Sequence, residues 1–244
     1  MEWSDDGLIL GARRHGEAGV ILEAMTRAHG RHFGLVRGGR SSRLRALLQP
    51  GNTVFLVWRA RLESHLGNYS VDADRLRAAA LMASPLALAG LQTLAGHLRL
   101  LPERDPHESL FSAACVVLDH LEEPETAARL MLRLELALLE ELGFGLDLSR
   151  CALTGAREGL AFVSPRTGKA ASAAAAAQWK DRLLPFPFIL GGSASDAPLR
   201  RQLAEAFALT GHFLGAHVWE PRGIAVPEQR ARFSTLIDNA LAQG

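Results

Sequence analysis

The hydrophobic pattern of the chain changes period near residue 76, and this change constrains the fold more than any other feature. Before it, short segments alternate between apolar and polar faces. In NTVFLVWRARL, Val54, Leu56 and Trp58 share one face, while Phe55 and Arg59 lie on the other. A period of two is typical of a half-buried β-strand. After residue 76 the apolar residues recur at helical spacing, so the sequence predicts a multidomain α+β protein.

Residues 7–73 are predicted to form five short strands joined by turn dipeptides such as Gly38-Gly39 and Pro50-Gly51. A helical turn at SSRLRALL falls between the third and fourth strands. Five short strands in so short a segment suit a small barrel. We therefore expect an OB-type β-barrel domain at residues 1–76.

Residues 77–244 are predicted to form an all-α domain. Ser84-Pro85 has the form of a helix N-cap followed by proline at the first helical position. The segment ARLMLRLELALLEELG is apolar almost all round, which predicts a central helix ending at Gly143. The segment at about 149–172 lacks helical periodicity and is rich in turn residues. We interpret it as a loop or short hairpin inserted into the helical domain.

The positive charge is concentrated in the barrel segment, although the formal net charge of the chain is only +1. No acidic residue occurs between Glu23 and Glu63. Eight arginines lie in that interval: Arg27, Arg31, Arg37, Arg40, Arg43, Arg45, Arg59 and Arg61. The arginine-rich composition of the whole chain, 25 Arg against two Lys, could by itself account for these arginines. It leaves the absence of acids unexplained, whereas binding of a polyanion explains both features.

We therefore predict a nucleic-acid-binding surface on the barrel. Guanidinium groups give phosphate bidentate partners, and an outward aromatic ring can stack on bases. Alternation places Trp58 in the core and makes Phe55 the better stacking candidate. The predicted binding residues are Arg31, Arg37, Arg40, Arg43, Arg45, Phe55, Arg59 and Arg61.

The sequence shows no pattern typical of an enzyme, a metal centre or a membrane span. GFGLDL lacks the third glycine of a dinucleotide fingerprint and follows a helix instead of a strand. His212 and His217 are five apart, so they diverge on a helix. Two cysteines, Cys115 and Cys151, give no disulfide framework. We expect a soluble cytoplasmic protein that is not an enzyme and has no cofactor.

The order of these features resembles the RecO family of bacterial DNA repair and recombination mediators. One match runs through LILGARRHGEAGVILEAMTRAHGRHFGLVRGGRSSR and LQPGNTVFLVWRARLESHLGNYSVDAD. A second is LELALLEELGFGLDLSRCALTG, and a third is FVSPRTGKAAS followed by DRLLPFPFIL. Together these matches are spread over most of the chain, in the order in which the family has them.

This resemblance implies an OB-fold followed by a helical domain, and a nucleoid-associated binding protein. It implies binding to single- and double-stranded DNA and annealing of complementary strands. It also implies action with RecR and loading of RecA onto strands coated by single-strand-binding protein.

The resemblance further implies a protein site for the acidic tail of single-strand-binding protein. The predicted helix from Glu125 to Gly143 is a candidate, because Arg129 and Arg133 lie four apart on one face. Neighbouring leucines are expected to line a groove: Leu130, Leu134 and Leu138. The alternative is that both arginines are ordinary surface residues or pair with acids such as Glu125.

Zinc is not expected here, although some family members carry two CxxC pairs in the inserted loop. Thr154 stands where the second thiol of the first pair would fall, and the later stretch TGKAASAAA has no cysteine. One thiolate cannot form a tetrahedral zinc site. We expect packing, by residues such as Leu160 and Phe162, to hold this loop.

Two other functions remain open at this level. An RNA-binding OB protein of translation or RNA processing would use the same arginines, since phosphate contacts carry no sequence information. A scaffold whose helical domain binds proteins is the third hypothesis.

Overall fold

The computed structural model describes residues 1–243, which form two compact units. The first unit is Met1–Glu122, and the second begins at Glu123. The domain boundary predicted between residues 76 and 77 marks where strands give way to helices and stays a prediction. The first compact unit extends beyond it because it includes the helices that follow the barrel.

Five strands form the barrel of the first unit: β1 (Glu2–His15), β2 (Gly19–Thr26), β3 (Gly30–Val36), β4 (Thr53–Arg59) and β5 (Asn68–Arg75). Their order in the sheet is β1-β2-β3-β5-β4, and β1 also pairs with β4, so the sheet closes on itself. The short helix α1 (Ser42–Leu47) connects β3 and β4. The predicted α+β class and five-stranded OB-type domain are confirmed.

The alternation of apolar residues along the strands accounts for the barrel core. Val54, Leu56 and Trp58 of β4 are buried, whereas Phe55 and Arg59 are exposed. The Trp58 indole donates its N–H to the Leu66 carbonyl at 2.9 Å, so its one polar group is satisfied inside the core. Trp58 is therefore a core residue, as predicted.

Three helices complete the first unit: α2 (Ala78–Ala83), α3 (Pro85–Leu98) and α4 (Glu108–Asp119). The Ser84 hydroxyl accepts a hydrogen bond from the Ala87 amide at 3.2 Å and caps α3, with Pro85 at its first turn, as the sequence predicts. Gly30 fixes the approach of the following loop to the barrel, because it has φ +65° and a Cβ there would lie 2.1 Å from the Asp105 carbonyl oxygen.

The second unit is a helical layer with a small sheet. Its helices are α5 (Pro124–Glu141), α6 (Ala173–Ala176), α7 (Leu199–Leu214) and α8 (Glu228–Ala242). Helices α5, α7 and α8 pack against one another. The predicted insertion forms the hairpin β6 (Leu160–Val163) and β7 (Ala170–Ser172), and β8 (Leu184–Pro185) adds a third strand beside β6. Among the described residues, no helix is long and apolar enough to cross a bilayer.

Candidate nucleic-acid interface

Four arginines from three separate segments line one cleft on the first unit, which we call the arginine cleft. Arg13 and Arg14 lie near the end of β1, Arg40 follows β3, and Arg45 belongs to α1. All four are exposed. The cleft measures about 210 Å³, and none of its nine lining residues carries a carboxylate or an aromatic ring. The gathered positive charge makes the cleft suitable for an anion.

The length of β1 places two of these arginines. Pairing of β1 with β4 covers Glu2 to Leu8, whereas pairing with β2 continues as far as His15. Arg13 and Arg14 therefore lie on a two-stranded extension beyond the closed part of the sheet. Sequence reasoning missed both residues, because it followed the acid-free interval that begins after Glu23. The dipeptide Arg13-Arg14 at the end of a predicted strand was the available signal.

The turn after β3 places Arg40. Gly38 has φ +65°, a conformation that suits glycine. The Arg40 guanidinium donates to the Glu17 carbonyl, and the Arg40 amide donates to the Ala18 carbonyl at 3.3 Å. These bonds attach the turn to the β1–β2 hairpin. The arginines of the hairpin and the turn are thereby held at one site.

Helix α1 contributes Arg45 to the arginine cleft. The Ser41 hydroxyl accepts a hydrogen bond from the Leu44 amide at 3.4 Å and caps the helix. Arg43 and Arg45 are exposed on α1, and Arg45 reaches the arginine cleft. Both lie within five residues of Arg40 along the chain.

A second cleft, of about 430 Å³, is lined by Arg37 and Arg59 together with Leu44 of helix α1. The Arg37 Nε donates to the Asn68 side-chain oxygen at 3.1 Å. Arg59 forms an exposed ion pair with Glu2 at 2.7 Å, and its hydrogen bond lowers the pKa of that carboxyl. The Glu2 charge offsets that of Arg59, so this cleft is less positive than the arginine cleft.

Several of the arginines have no carboxylate partner. Within residues 1–243, none of the following forms an ion pair: Arg13, Arg14, Arg37, Arg40, Arg43, Arg45 and Arg61. Arg61 lies beyond the end of β4, is exposed, and lines neither cleft. An arginine without a carboxylate partner keeps its charge available for an external anion.

The structure places Arg31 apart from these residues. Its side chain is only 14% exposed and forms an ion pair with Glu23 at 3.1 Å. Its Nε donates to the Leu101 carbonyl at 3.2 Å, and Glu103 lies 3.8 Å away. Arg31 therefore holds the barrel to the segment after α3, and its charge is already neutralised.

Phe55 is also separated from the arginine cleft. It is 42% exposed on β4, but the register pairs it with Asp6 of β1 and Asp72 of β5. Directly paired residues point to the same side of a sheet. Two carboxylates therefore flank the ring, and this neighbourhood repels a phosphate backbone.

The residues predicted to bind an acidic tail do not form the expected site. Leu134 and Leu138 are 2% and 0% exposed, so they pack in the interior and cannot line an open groove. Leu130 is half-buried. Arg129 donates to Glu125 at 2.8 Å, which is the ordinary i,i+4 pair, whereas Arg133 is exposed.

The inserted hairpin does not fit a metal ion. No group of three or more potential metal-binding side chains occurs within residues 1–243. Cys151 is buried, and its sulfur accepts a hydrogen bond from the Ser172 amide at 3.3 Å. Hydrogen bonds from the Thr154 side chain and the Ser172 backbone lower the pKa of Cys151 to about 6. The Cys151 sulfur is thus hydrogen-bonded to neighbouring residues. A tetrahedral zinc site would need three more ligands beside this one thiolate.

Comparison with known proteins gives consistent matches along the chain. Two family models match, recombination protein O N terminal over residues 1–72 and recombination protein O C terminal over residues 94–223. A DNA repair protein RecO from Chelativorans sp. is 57% identical over 244 residues, which cover 100% of this chain and 98% of that protein. Proteins of the same name from Methylobacterium nodulans and Brucella abortus are 55% and 48% identical, over 97% and 99% of this chain and 98% of each relative.

Proposed function

The chain belongs to the RecO family of DNA repair proteins, and from this premise we propose that it binds DNA at the arginine cleft and anneals complementary single strands. The proposal rests above all on one observation. Four exposed arginines from distant parts of the chain line a cleft with no carboxylate among its lining residues. The proposed surface also includes Arg37, Arg43, Arg59 and Arg61, which are exposed and lie outside the arginine cleft. The proposed surface excludes Arg31 and Phe55, because of their internal partners and acidic neighbours.

The lining of the cleft favours contacts with phosphates over contacts with bases. A guanidinium offers paired N–H donors to phosphate oxygens. No aromatic ring lines the arginine cleft, and Tyr69, the one ring that lines the second cleft, is buried. Base stacking, which other single-strand binders use, therefore has no exposed platform at this site.

A surface of this kind suits strand annealing. Two complementary strands repel each other through their phosphates, and bound arginines reduce that repulsion. Bases that are not stacked on protein side chains keep their pairing edges free. Phosphate contacts carry no sequence information, so the same surface serves any sequence and both single and double strands. On this proposal the protein acts by binding, without catalysis, at the nucleoid.

Family membership also supports a role as a recombination mediator. We propose that the protein cooperates with RecR and helps RecA to replace single-strand-binding protein on DNA. The proposal for the acidic tail of single-strand-binding protein does not extend to Arg129, Leu134 or Leu138, because Arg129 is already paired and the two leucines are buried.

The binding proposal is tested with a fluorescent single-stranded oligonucleotide over a series of salt concentrations. Each phosphate contact on a single strand contributes about 0.7 to the slope of log affinity against log salt. Arg13→Ala/Arg45→Ala should therefore weaken binding and reduce the slope by about 1.4, if each arginine contacts one phosphate. Neither side chain has an internal partner, so the melting temperature should stay near the wild-type value.

The matched control is Arg157→Ala/Arg166→Ala, which removes two exposed arginines from the second unit. It should leave the slope unchanged. Equal slopes for wild type and Arg13→Ala/Arg45→Ala would remove the arginine cleft from the binding surface. Annealing is followed in parallel with complementary strands that carry a fluorophore and a quencher. A protein that accelerates pairing of RNA strands but not of DNA strands would instead favour a role in RNA processing.

A further inference from the structure

The second unit contains a cleft of about 510 Å³ that the proposed DNA binding does not use, which we call the Gln202 cleft. One wall comes from β6 and the segment around β8, and the other from the loop before α7 and the first turns of that helix. The lining residues are Ala161, Phe162, Pro185, Phe186, Pro187, Ser193, Ala194, Ser195, Asp196, Ala197, Arg201, Gln202 and Glu205.

A buried acceptor in this cleft lacks a partner. Gln202 is only 8% exposed, and its Nε2 donates to the Ala197 carbonyl at 2.8 Å. Its Oε1 is buried and has no hydrogen-bond partner in the part of the chain that the structure describes. Buried polar atoms in proteins nearly always have a partner. An unsatisfied oxygen in a side chain that lines a cleft therefore indicates a donor that comes from outside.

A second acceptor in the cleft is a free carboxylate. Asp196 is exposed and forms no ion pair or hydrogen bond with any residue in 1–243. The other polar side chains are engaged: the Ser193 hydroxyl donates to the Leu160 carbonyl at 3.0 Å, the Ser195 hydroxyl accepts from the Ala197 amide at 3.2 Å, and Glu205 pairs with Arg201 at 2.8 Å. The Gln202 oxygen and the Asp196 carboxylate are thus two acceptors without a partner in residues 1–243, and one of them is an anion.

The opposite wall is apolar and partly aromatic. Phe162, Pro185, Phe186 and Pro187 lie on this wall; the Phe162 side chain is half-buried, and that of Phe186 is buried. A guanidinium is planar and weakly hydrated, it carries several N–H donors, and it stacks on aromatic rings. An arginine side chain can therefore donate to Gln202 and Asp196 while its stem and planar group lie against the Phe162 ring and the prolines beside it.

We propose that the Gln202 cleft binds an arginine side chain presented by a segment of a partner protein. The charge of Asp196, the unsatisfied Gln202 oxygen and the aromatic wall each select for this side chain. Glutamate would be repelled by Asp196. A neutral residue would leave the carboxylate unpaired, and a nucleic acid backbone would meet the same negative charge.

The test uses the full chain labelled with ¹⁵N and the blocked tripeptide acetyl-Gly-Arg-Gly-amide as probe. NMR spectra follow the side-chain amide of Gln202 and the backbone amides of residues 193–197. The arginine peptide should give saturable shifts at these positions. The same peptide with citrulline, which keeps the shape and most donors but has no charge, should bind several-fold more weakly, and the glutamate peptide should give no shift.

Two variants separate the contributions. Asp196→Asn removes an exposed charge and should weaken the arginine peptide about threefold, as expected for an exposed ion pair. Gln202→Met keeps the length of the side chain, removes the buried acceptor, and should weaken binding about tenfold, as expected for a hydrogen bond to a charged group. Arg200→Gln, on the same helix turn but paired with Asp238 outside the cleft, is the matched control and should have no effect.

Three results would overturn the proposal. The first is an absence of shifts at residues 193–197 and Gln202 up to the solubility limit of the arginine peptide. The second is equal affinity for the citrulline and arginine peptides. The third is an Asp196→Asn protein that binds as tightly as wild type, a result that stands even if Gln202→Met fails to fold. Shifts at the cleft with a single-stranded oligonucleotide alone would assign it to nucleic acid instead.

Discussion

Replacement of Arg230 by methionine tests what holds the second unit together. Glu135 of α5 is completely buried, and its carboxylate accepts hydrogen bonds from Arg230 and Thr210. The Arg230 Nε donates at 2.7 Å and its terminal nitrogen at 2.9 Å, while the Thr210 hydroxyl donates at 2.6 Å. The Arg230 guanidinium also lies over the Phe207 ring, at 5.4 Å from its centroid. The ion pair between Glu135 and Arg230 and the hydrogen bond from Thr210 therefore link α5, α7 and α8.

The expected loss follows from what remains after the substitution. Arg230→Met leaves the Glu135 carboxylate buried and removes its arginine countercharge together with the two hydrogen bonds that Arg230 donates to it. Removal of one partner from a buried ion pair costs about 3–5 kcal/mol. The double replacement Glu135→Leu/Arg230→Met removes both charges and keeps an apolar interior of similar volume. It should recover most of the lost stability, because such replacements are often neutral.

Hydrogen exchange of the full chain measures this effect locally, with mass spectrometry of peptides from each unit. A loss of about 3 kcal/mol corresponds to about a hundredfold faster exchange. Amides of α5, α7 and α8 should exchange faster in Arg230→Met, and amides of β2 and β3 should serve as the internal reference. The reasoning would be refuted if α5 kept its protection within about tenfold, or if the double variant exchanged as fast as the single one.

Three further outcomes are expected. The purified protein should contain well below one equivalent of zinc and keep its melting temperature in a chelator, because Thr154 cannot replace the second thiol beside Cys151; one equivalent by elemental analysis would contradict this. The first unit should lose stability as the pH falls from about 6.5 towards 4. Burial lowers the pKa of His32 to about 4, so the unfolded state binds the proton first. His32→Gln should make the melting temperature depend less on pH between about 6.5 and 4. A labelled acidic peptide with an aromatic carboxyl terminus should bind Arg129→Ala/Arg133→Ala as tightly as wild type, and a clear loss of affinity would restore that helix as the tail site.

The parts of the fold that depend on local sequence could be predicted. Alternation in β4 identifies Val54, Leu56 and Trp58 as core residues because the period of a strand is an intrinsic property of its backbone. Ser84 and Pro85 mark the start of α3 because capping involves only the residues of one helical turn. The third strand of the small sheet, β8, has two residues and contains Pro185. Such a segment carries no periodicity, so only the structure reveals it.

The candidate site could be predicted only in part, because pairing register and barrel closure decide which arginines meet. Arg40 and Arg45 were expected from the acid-free interval, but Arg13 joins them only because β1 extends past β4. The same register places Asp6 and Asp72 beside Phe55, although no carboxylate is near that ring in sequence. Absence of acids from a segment therefore does not establish absence of acids from the surface that the segment forms.

A binding site made of arginines alone has a consequence for the release of duplex products, and it can be measured. The slope of log affinity against log salt is about −0.9 per phosphate contact on duplex DNA and about −0.7 on single strands. If the four arginines of the cleft contact four phosphates in either form, the slopes are about −3.6 and −2.8. A tenfold rise in salt then lowers the affinity for duplex about sixfold more than the affinity for single strands. Salt should therefore shift the protein from annealed product towards unpaired substrate. Competition between labelled single strands and unlabelled duplex over a salt series measures this ratio. A ratio that stays constant with salt would mean that contacts other than phosphates, most simply stacking on bases, carry much of the binding.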